Sequence, residues 1–561
     1  MKKLCVKLIA AGSLMALPAT AYADGVAVHG SVQTEIDVVE DDKAINTPEY
    51  DQRFLFNVYA DVNVISQYVE AGLRFEFMKW PTPQFLKEPG YAGWGFPNVY
   101  VKGKYKGFDL TVGDFYDQFG SGFIFRTYEE RTLGIDNSIR GARLNVNAVK
   151  GLRLTVLGGQ QRHYWEYDWN WASHQKVFGA NAEAYLQDWW PTLADHNAAW
   201  MFGASYVLKH EKEEEKILAG TDYRLNFPKN VNAFDVRSNF QKGPWSVLAE
   251  FAWKGQDPSF DNNYTYGNGT AIMLSGSYAR KGLSAMLQAK RSENMSFRSE
   301  RSASGLPVTL NYMPAFSYQH TYALAALYPY ATQMAPGEWA FQGAFEYTFK
   351  RRTPLGGKYG TKLILNASYI SGLVRTDDPK NPYNGSLWGT DGYKTDFWKI
   401  GACNYYDFNV MIEKKFSQPF YMQFMYAHQY YNNKILTGAM DEETPWVRAN
   451  VLVADARWKI NRKFTLRGEL QYLFTNQDYK DWAYGLVELS FAPYLQVSVS
   501  DMWNTGKTGL HYYMFAVTGN YKSNRLMVSY GRTRQGVNCT GGVCRTVPAM
   551  HGLQVAYSYN F

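Results

Sequence analysis

The chain has 561 residues, of which 46% are hydrophobic, 17% aromatic and 19% charged. This apolar and aromatic content excludes a disordered chain, and a formal net charge of only +7 gives no support for nucleic-acid binding. The mean hydropathy is −0.38. After residue 23, no stretch reaches the roughly 18 apolar residues that a membrane-spanning helix requires.

The first 23 residues have the features of a secretory signal peptide. Three lysines precede an apolar run over residues 8–17, and residues 21–23, Ala-Tyr-Ala, match the A-x-A cleavage pattern. We therefore predict a signal peptide at residues 1–23 and export of the chain, with one mature domain at residues 24–561.

Strict alternation of apolar and polar residues recurs along the mature chain. In residues 53–64 the even positions are apolar, whereas the odd positions include Asn57, Asp61 and Asn63. Because side chains alternate between the two faces of a strand, such a segment has one apolar and one polar face. The segments run roughly 10 to 12 residues, which suits a tilted membrane strand, whereas strands of soluble sandwiches centre on about 5 to 6 residues.

The connections between these segments alternate between short and long. Short ones include Lys106-Gly107, Lys150-Gly151, Lys242-Gly243 and Lys281-Gly282, and the long polar ones include residues 163–175, 211–230, 294–335, 372–396 and 433–446. Outer-membrane barrels have this pattern of short periplasmic turns and long extracellular loops. We predict an all-β fold, a single large antiparallel transmembrane β-barrel of about 24 strands, with 22 or 26 as alternatives. One barrel uses nearly the whole mature chain, which leaves no room for a separate plug domain.

The C-terminus ends on a strand that is apolar at every second position: Leu553, Val555, Tyr557, Tyr559 and Phe561. A final aromatic residue on such a strand resembles the signal that the barrel-assembly machinery reads. We therefore take Tyr557, Tyr559 and Phe561 as the C-terminal assembly signal, and predict the cell outer membrane as the location and its lipid as a partner.

The mature chain has three cysteines. Cys539 and Cys544 are close enough in sequence to form a candidate disulfide in an oxidising compartment, and Cys403 is left over as a packed thiol. The sequence has no Cys/His cluster with metal-ligand spacing, and we predict no metal and no cofactor.

The richest polar cluster lies at residues 113–143. It contains nine charged residues, namely Asp114, Asp117, Arg126, Glu129, Glu130, Arg131, Asp136, Arg140 and Arg143. The same connection carries Phe123, Ile124 and Phe125, which a solvated loop would not favour, so we expect it to fold inward. Two functions fit these charges: a constriction whose transverse field selects solutes, or internal salt bridges that brace the wall.

Several runs in this cluster carry a family resemblance. Residues 113–116, 119–122, 126–131 and 133–137, together with the C-terminal run 541–548, resemble an outer-membrane β-barrel family of Bacteroidota that is described only as an uncharacterised domain. The resemblance implies an outer-membrane barrel and brings neither catalytic residues nor a substrate.

Three classes of function follow from a barrel. We favour a porin-like channel for small hydrophilic solutes, with residues 113–143 as the narrow point. The alternative is a non-conducting barrel that acts as a structural or assembly partner for surface or secreted proteins. We do not expect an enzyme, since the sequence has neither G-x-S-x-G nor H-E-x-x-H.

Overall fold

The structure is a computed structural model of the chain. It describes residues 25–561 except 86–89, 166–174, 213–215, 218–221, 304–307, 378–379, 381–384 and 438–444. The predicted signal peptide lies outside the described residues.

Twenty-four antiparallel strands of the described chain form one closed sheet. The first strand pairs with the last, with Ser31 opposite Asn560, so the barrel has no free edge. This confirms the predicted fold class and the predicted strand number. The strands, numbered in chain order, are β1 Val26–Glu40, β2 Phe54–Ser66, β3 Val69–Trp80, β4 Gly93–Tyr105, β5 Phe108–Phe115, β6 Ile139–Val146, β7 Leu152–Gln161, β8 Lys176–Tyr185, β9 Ala198–His210, β10 Asn230–Lys242, β11 Trp245–Lys254, β12 Gly269–Arg280, β13 Leu283–Glu293, β14 Glu338–Phe349, β15 Thr361–Asp377, β16 Tyr393–Lys415, β17 Phe420–Tyr431, β18 Val447–Lys459, β19 Phe464–Phe474, β20 Trp482–Phe491, β21 Leu495–Asn504, β22 His511–Tyr521, β23 Asn524–Thr533 and β24 Met550–Asn560.

The connections divide the barrel into two ends. Those that follow even-numbered strands are mostly tight turns and define the short-turn end, whereas those that follow odd-numbered strands define the long-connection end. Two connections at the short-turn end exceed a tight hairpin: residues 350–360, and residues 186–197, which contain the helix Pro191–Asp195. A second helix, Asn433–Thr437, follows β17. Among the described residues, no helix has the length and apolar character needed to cross a membrane.

The two faces of the sheet have opposite polarity. Outward side chains such as Leu287 and Leu470 are exposed, at 74% and 69%, whereas inward side chains such as Asp407 and Asn409 are buried. An apolar exterior around a polar interior is the arrangement of a membrane barrel and the reverse of a soluble sandwich.

The inward face becomes apolar toward the long-connection end. In β18, Val447, Ala449, Val451 and Val453 face inward and are buried, and the first polar inward residue is Asp455. These positions belong to a hydrophobic core that lies inside the barrel. The wall therefore packs against protein at this end of the lumen.

Candidate functional site inside the barrel

Three connections of the long-connection end fold into the barrel and contact each other. The first inward connection is residues 116–138, the long inward connection is residues 294–337, and the disulfide hairpin is formed by Gly536–Thr540 and Val543–Val547. The Arg126 N–H donates to the Leu310 carbonyl (2.8 Å). We call these three segments the lumenal assembly.

The long inward connection crosses the interior of the barrel. It leaves β13, and the N–H of Leu324 then donates to Gln471 Oε1 on β19 (2.8 Å). The side chain of Gln429 on β17 donates to the Ala325 carbonyl (2.9 Å), and His320 Nε2 lies 2.6 Å from Asp407 Oδ2 on β16. Since β16 to β19 lie several strands away from β13 in the sheet, the connection spans the lumen.

Buried ion pairs hold this connection where it leaves and re-enters the wall. Lys290 on β13 pairs with Glu338 on β14 (2.9 Å), with both side chains fully buried, and its ammonium also donates to the Pro314 carbonyl (2.7 Å). Arg301 pairs with Glu211 at 2.8 Å. Removing one partner of such a pair leaves an uncompensated charge in a low-dielectric interior. These contacts therefore fix the position of the long inward connection.

Arg74 on β3 links the wall to the first inward connection. Its guanidinium contacts Asp61 on β2 (2.7 Å), Glu129 (2.9 Å) and Asp136 (3.1 Å). Arg131 adds a second link, since it pairs with Glu129 (2.6 Å) and Asp61 (3.1 Å). Charges from two strands and one connection thus form a single network.

Asp136 lies near the centre of this network. Burial alone would raise the pKa of Asp136, but the guanidinium groups of Arg162 and Arg74 and a hydrogen bond from Tyr116 outweigh it and hold the pKa below its usual range. The carboxylate is therefore ionised in the folded protein.

We expect the Asp136→Asn variant to lose about 3 kcal/mol of unfolding free energy, because Arg74 and Arg162 lose a buried carboxylate. Urea unfolding of the refolded barrel measures this difference. The matched control is Glu130→Gln, since Glu130 accepts hydrogen bonds from Thr132 and has no ion pair within the described residues. A loss of equal size in both variants would contradict a central role for Asp136.

Six of the nine predicted charged residues lie outside the Arg74 network. Asp117 pairs with Arg143 (3.2 Å), and Asp114 pairs with Arg140 (2.8 Å). Asp114 lies directly opposite Arg140 in the paired strands β5 and β6 and lines one of the inner cavities described below.

Of the other two residues, Glu130 accepts hydrogen bonds from Thr132, and Arg126 stacks between two aromatic rings. Its guanidinium lies 4.5 Å from the ring of Tyr128 and 4.0 Å from that of Tyr312. The predicted charged unit is thus engaged in ion pairs, hydrogen bonds and ring contacts throughout.

Glu76, Glu129 and Asp136 bring three carboxylates within 4.8 Å of one another. Arg74, Arg131 and Arg162 already pair with these groups. Their charges are therefore compensated by guanidinium groups, and the arrangement does not fit a metal ion.

The disulfide hairpin packs against the other two segments. Cys539 and Cys544 form the disulfide, and the half-buried Cys403 is a free thiol. The Thr332 N–H donates to the Gly542 carbonyl (2.9 Å). Gly542 has a φ of +86°, and an added Cβ would lie 2.4 Å from Thr332 Oγ1, so glycine is required for this fit.

Cavities lie on both sides of the lumenal assembly. An outer cavity of about 290 Å³ lies between the inward connections, with Val537 in its lining. Two inner cavities of about 470 and 480 Å³ have Arg131 in common, and the first is also lined by Asn538 and Arg525. Because Val537 and Asn538 are neighbours, the disulfide hairpin separates the outer cavity from an inner one.

The sequence pattern predicts residues 294–335 as one of the long polar connections, and their path across the lumen is not predicted. Two signals were present. The stretch carries apolar residues that are buried in the structure, among them Leu310, Phe316 and Leu324. In β18, the polar residues Arg448 and Asn450 face outward, whereas Val447, Ala449 and Val451 face inward. This is the reverse of the pattern of apolar outward and polar inward residues in the rest of the strand.

Solved structures with a similar fold are large barrels. The P pilus usher (PapC) translocation pore matches with a TM-score of 0.42 and 10% identity, over 95% of this chain and 99% of that chain. The siderophore receptor PirA from Pseudomonas aeruginosa matches with 0.38 and 10%, over 95% and 80%. OccAB3 from Acinetobacter baumannii matches with 0.33 and 9%, over 96% and 100%.

A comparison with curated proteins finds no match. The model of one protein family matches residues 1–561, which is the whole sequence. This large β-barrel therefore belongs to the family described as "Family of unknown function (DUF6029)".

Proposed function

We propose that the chain is an outer-membrane barrel of a Gram-negative bacterium and a porin-like passage for small hydrophilic solutes. The passage is narrowed by the barrel's own connections. The lumenal assembly fills the long-connection half, and the polar inner cavities continue toward the short-turn half. In this mechanism, solutes diffuse past Arg131 and the disulfide hairpin, and the charges on the wall select among them.

One observation carries this proposal: polar cavities lie on both sides of a thin partition. The inner cavities are lined by charged and polar residues including Glu35, Asp61, Lys102 and Arg525. A barrel that served only as a scaffold would not require polar cavities on both sides of the disulfide hairpin. The same arrangement supports a conductance far smaller than that of an open barrel with 24 strands.

Arg525 offers a test of solute selection. Its exposed side chain lines an inner cavity and has no ion pair within the described residues. We expect the refolded barrel in a planar bilayer to show small, defined conductance steps, and Arg525→Gln to shift the reversal potential toward cation preference because one fixed positive charge is lost from the lumen. Lys522→Gln, in the turn between β22 and β23, removes the same charge outside the lumen and should leave the potential unchanged.

A second candidate function rests on the β15–β16 hairpin. These strands have 17 and 23 residues, and at about 3.3 Å per residue the longer one far exceeds the thickness of a bilayer core. Its distal part carries exposed Phe397, Trp398 and Ile400, with Trp398 82% exposed. We propose a docking surface for a partner protein here if the barrel fails to conduct, in which case Trp398→Ser should abolish co-purification of that partner.

A further inference from the structure

The outer cavity is built by several connections of the long-connection end. Its lining includes Tyr128 from the first inward connection, Asn311 and Thr332 from the long inward connection, and Val537 and Thr546 from the disulfide hairpin. Its volume of about 290 Å³ lies at the lower limit of small-molecule sites, which span roughly 300–1,000 Å³.

The charged groups of this cavity neutralise each other. Arg298 pairs with Asp261 (2.6 Å), and the Ser296 hydroxyl also donates to Asp261. A charged solute would therefore find no complementary net charge here. A solute with hydroxyl groups would find both donors and acceptors.

Asn311 ties the wall of the cavity to the first inward connection. Asn311 is 3% exposed, and its amide nitrogen donates to the carbonyls of Met295 (2.6 Å) and Phe123 (3.0 Å). Its Oδ1 accepts no hydrogen bond from the described residues. That atom is fully buried and does not face the cavity, so the hydroxyl groups of the lining come instead from residues such as Tyr128, Thr437 and Thr546.

Part of the lining is apolar. Met313, Met334, Leu436 and Val537 present hydrocarbon and thioether surface to the cavity. Sugars have both C–H faces and hydroxyl edges, and so match a site of this mixed character. We propose that the outer cavity binds a neutral polyhydroxylated solute of one or two sugar rings; this rests on the proposed passage and names its solute class.

The test measures sugar binding to the refolded full-length chain by isothermal titration calorimetry, with glucose and maltose as probes in a detergent without a sugar headgroup. We expect saturable binding of at least one neutral probe and weaker binding of gluconate and glucosamine. Val537→Trp fills the cavity and should abolish binding. Thr540→Trp, on the exposed end of the same hairpin and outside the lining, is the matched control and should bind as the wild type does.

Thr546→Val keeps the shape of the lining and removes one exposed hydroxyl. It should weaken binding about fivefold, the effect of one hydrogen bond, and it leaves the backbone pairing with Val537 in place. No heat with either neutral probe, equal binding by Val537→Trp, or tighter binding of gluconate overturns this inference. A barrel that conducts without binding sugar refutes the solute class alone, whereas sugar binding without any conductance refutes the passage.

Discussion

Replacement of residues 296–333 by an Asn-Gly turn should raise the single-channel conductance roughly tenfold, because it removes the segment that crosses the lumen and a barrel of this strand number encloses a wide lumen. The design follows the structure. The Met295 N–H donates to the Met334 carbonyl (3.0 Å), so β13 and β14 are already adjacent where the new turn joins them, and Asn-Gly suits a two-residue hairpin. Conductance in a planar bilayer measures the effect.

The shortened barrel must still fold for this result to count. The deletion removes Arg298 and Arg301, which pair with Asp261 and Glu211, so heat-modifiable mobility on a gel is checked first. The control replaces residues 378–392 by Asn-Gly, which joins the paired ends of β15 and β16. The described part of that segment contacts Tyr264 and Tyr266, and its removal should leave conductance unchanged. If the shortened barrel folds and still does not conduct ions, the proposed passage is refuted.

Removal of the disulfide should increase the open time of the channel. The Cys539–Cys544 bond closes a short loop, and such a cross-link restricts the chain by about 2 kcal/mol. If solutes pass when the hairpin tip leaves Thr332 and Tyr312, to which it bonds through Gly542 and Gly541, loss of that constraint raises the open fraction roughly thirtyfold. The Cys539→Ser/Cys544→Ser double variant measures this in the same bilayer experiment.

Reductant gives an independent check of the hairpin. The wild type in reductant should behave as the double variant does, and the double variant should not respond to reductant at all. Cys403→Ser is the matched control, since Cys403 is a free thiol on β16, and this variant should respond as the wild type does. If the double variant keeps wild-type open times, the hairpin is a fixed part of the wall and not the partition that opens.

The sequence by itself determined the barrel. Alternation in residues 53–64 places Asn57 and Asp61 inward, and the short turns such as Lys106-Gly107 set the parity, so counting gives about 24 strands with 22 or 26 as alternatives, and the structure has 24. These features are local: the face of a side chain depends on its position in its own strand, and a tight turn depends on a few residues. The candidate disulfide pair was also visible because its cysteines are only five residues apart.

The contents of the lumen were decided by tertiary structure. The inward fold of residues 113–143 was predicted from Phe123 and its neighbours, but the partners of Arg74 come from β2 and from a connection about 60 residues away. The path of the long inward connection was not predictable, because Leu324 meets Gln471 across 147 residues of sequence. The amino-acid composition of a connection is the same whether its apolar residues pack on a partner protein or inside their own barrel. Only closure of the sheet creates the surface that buries these residues.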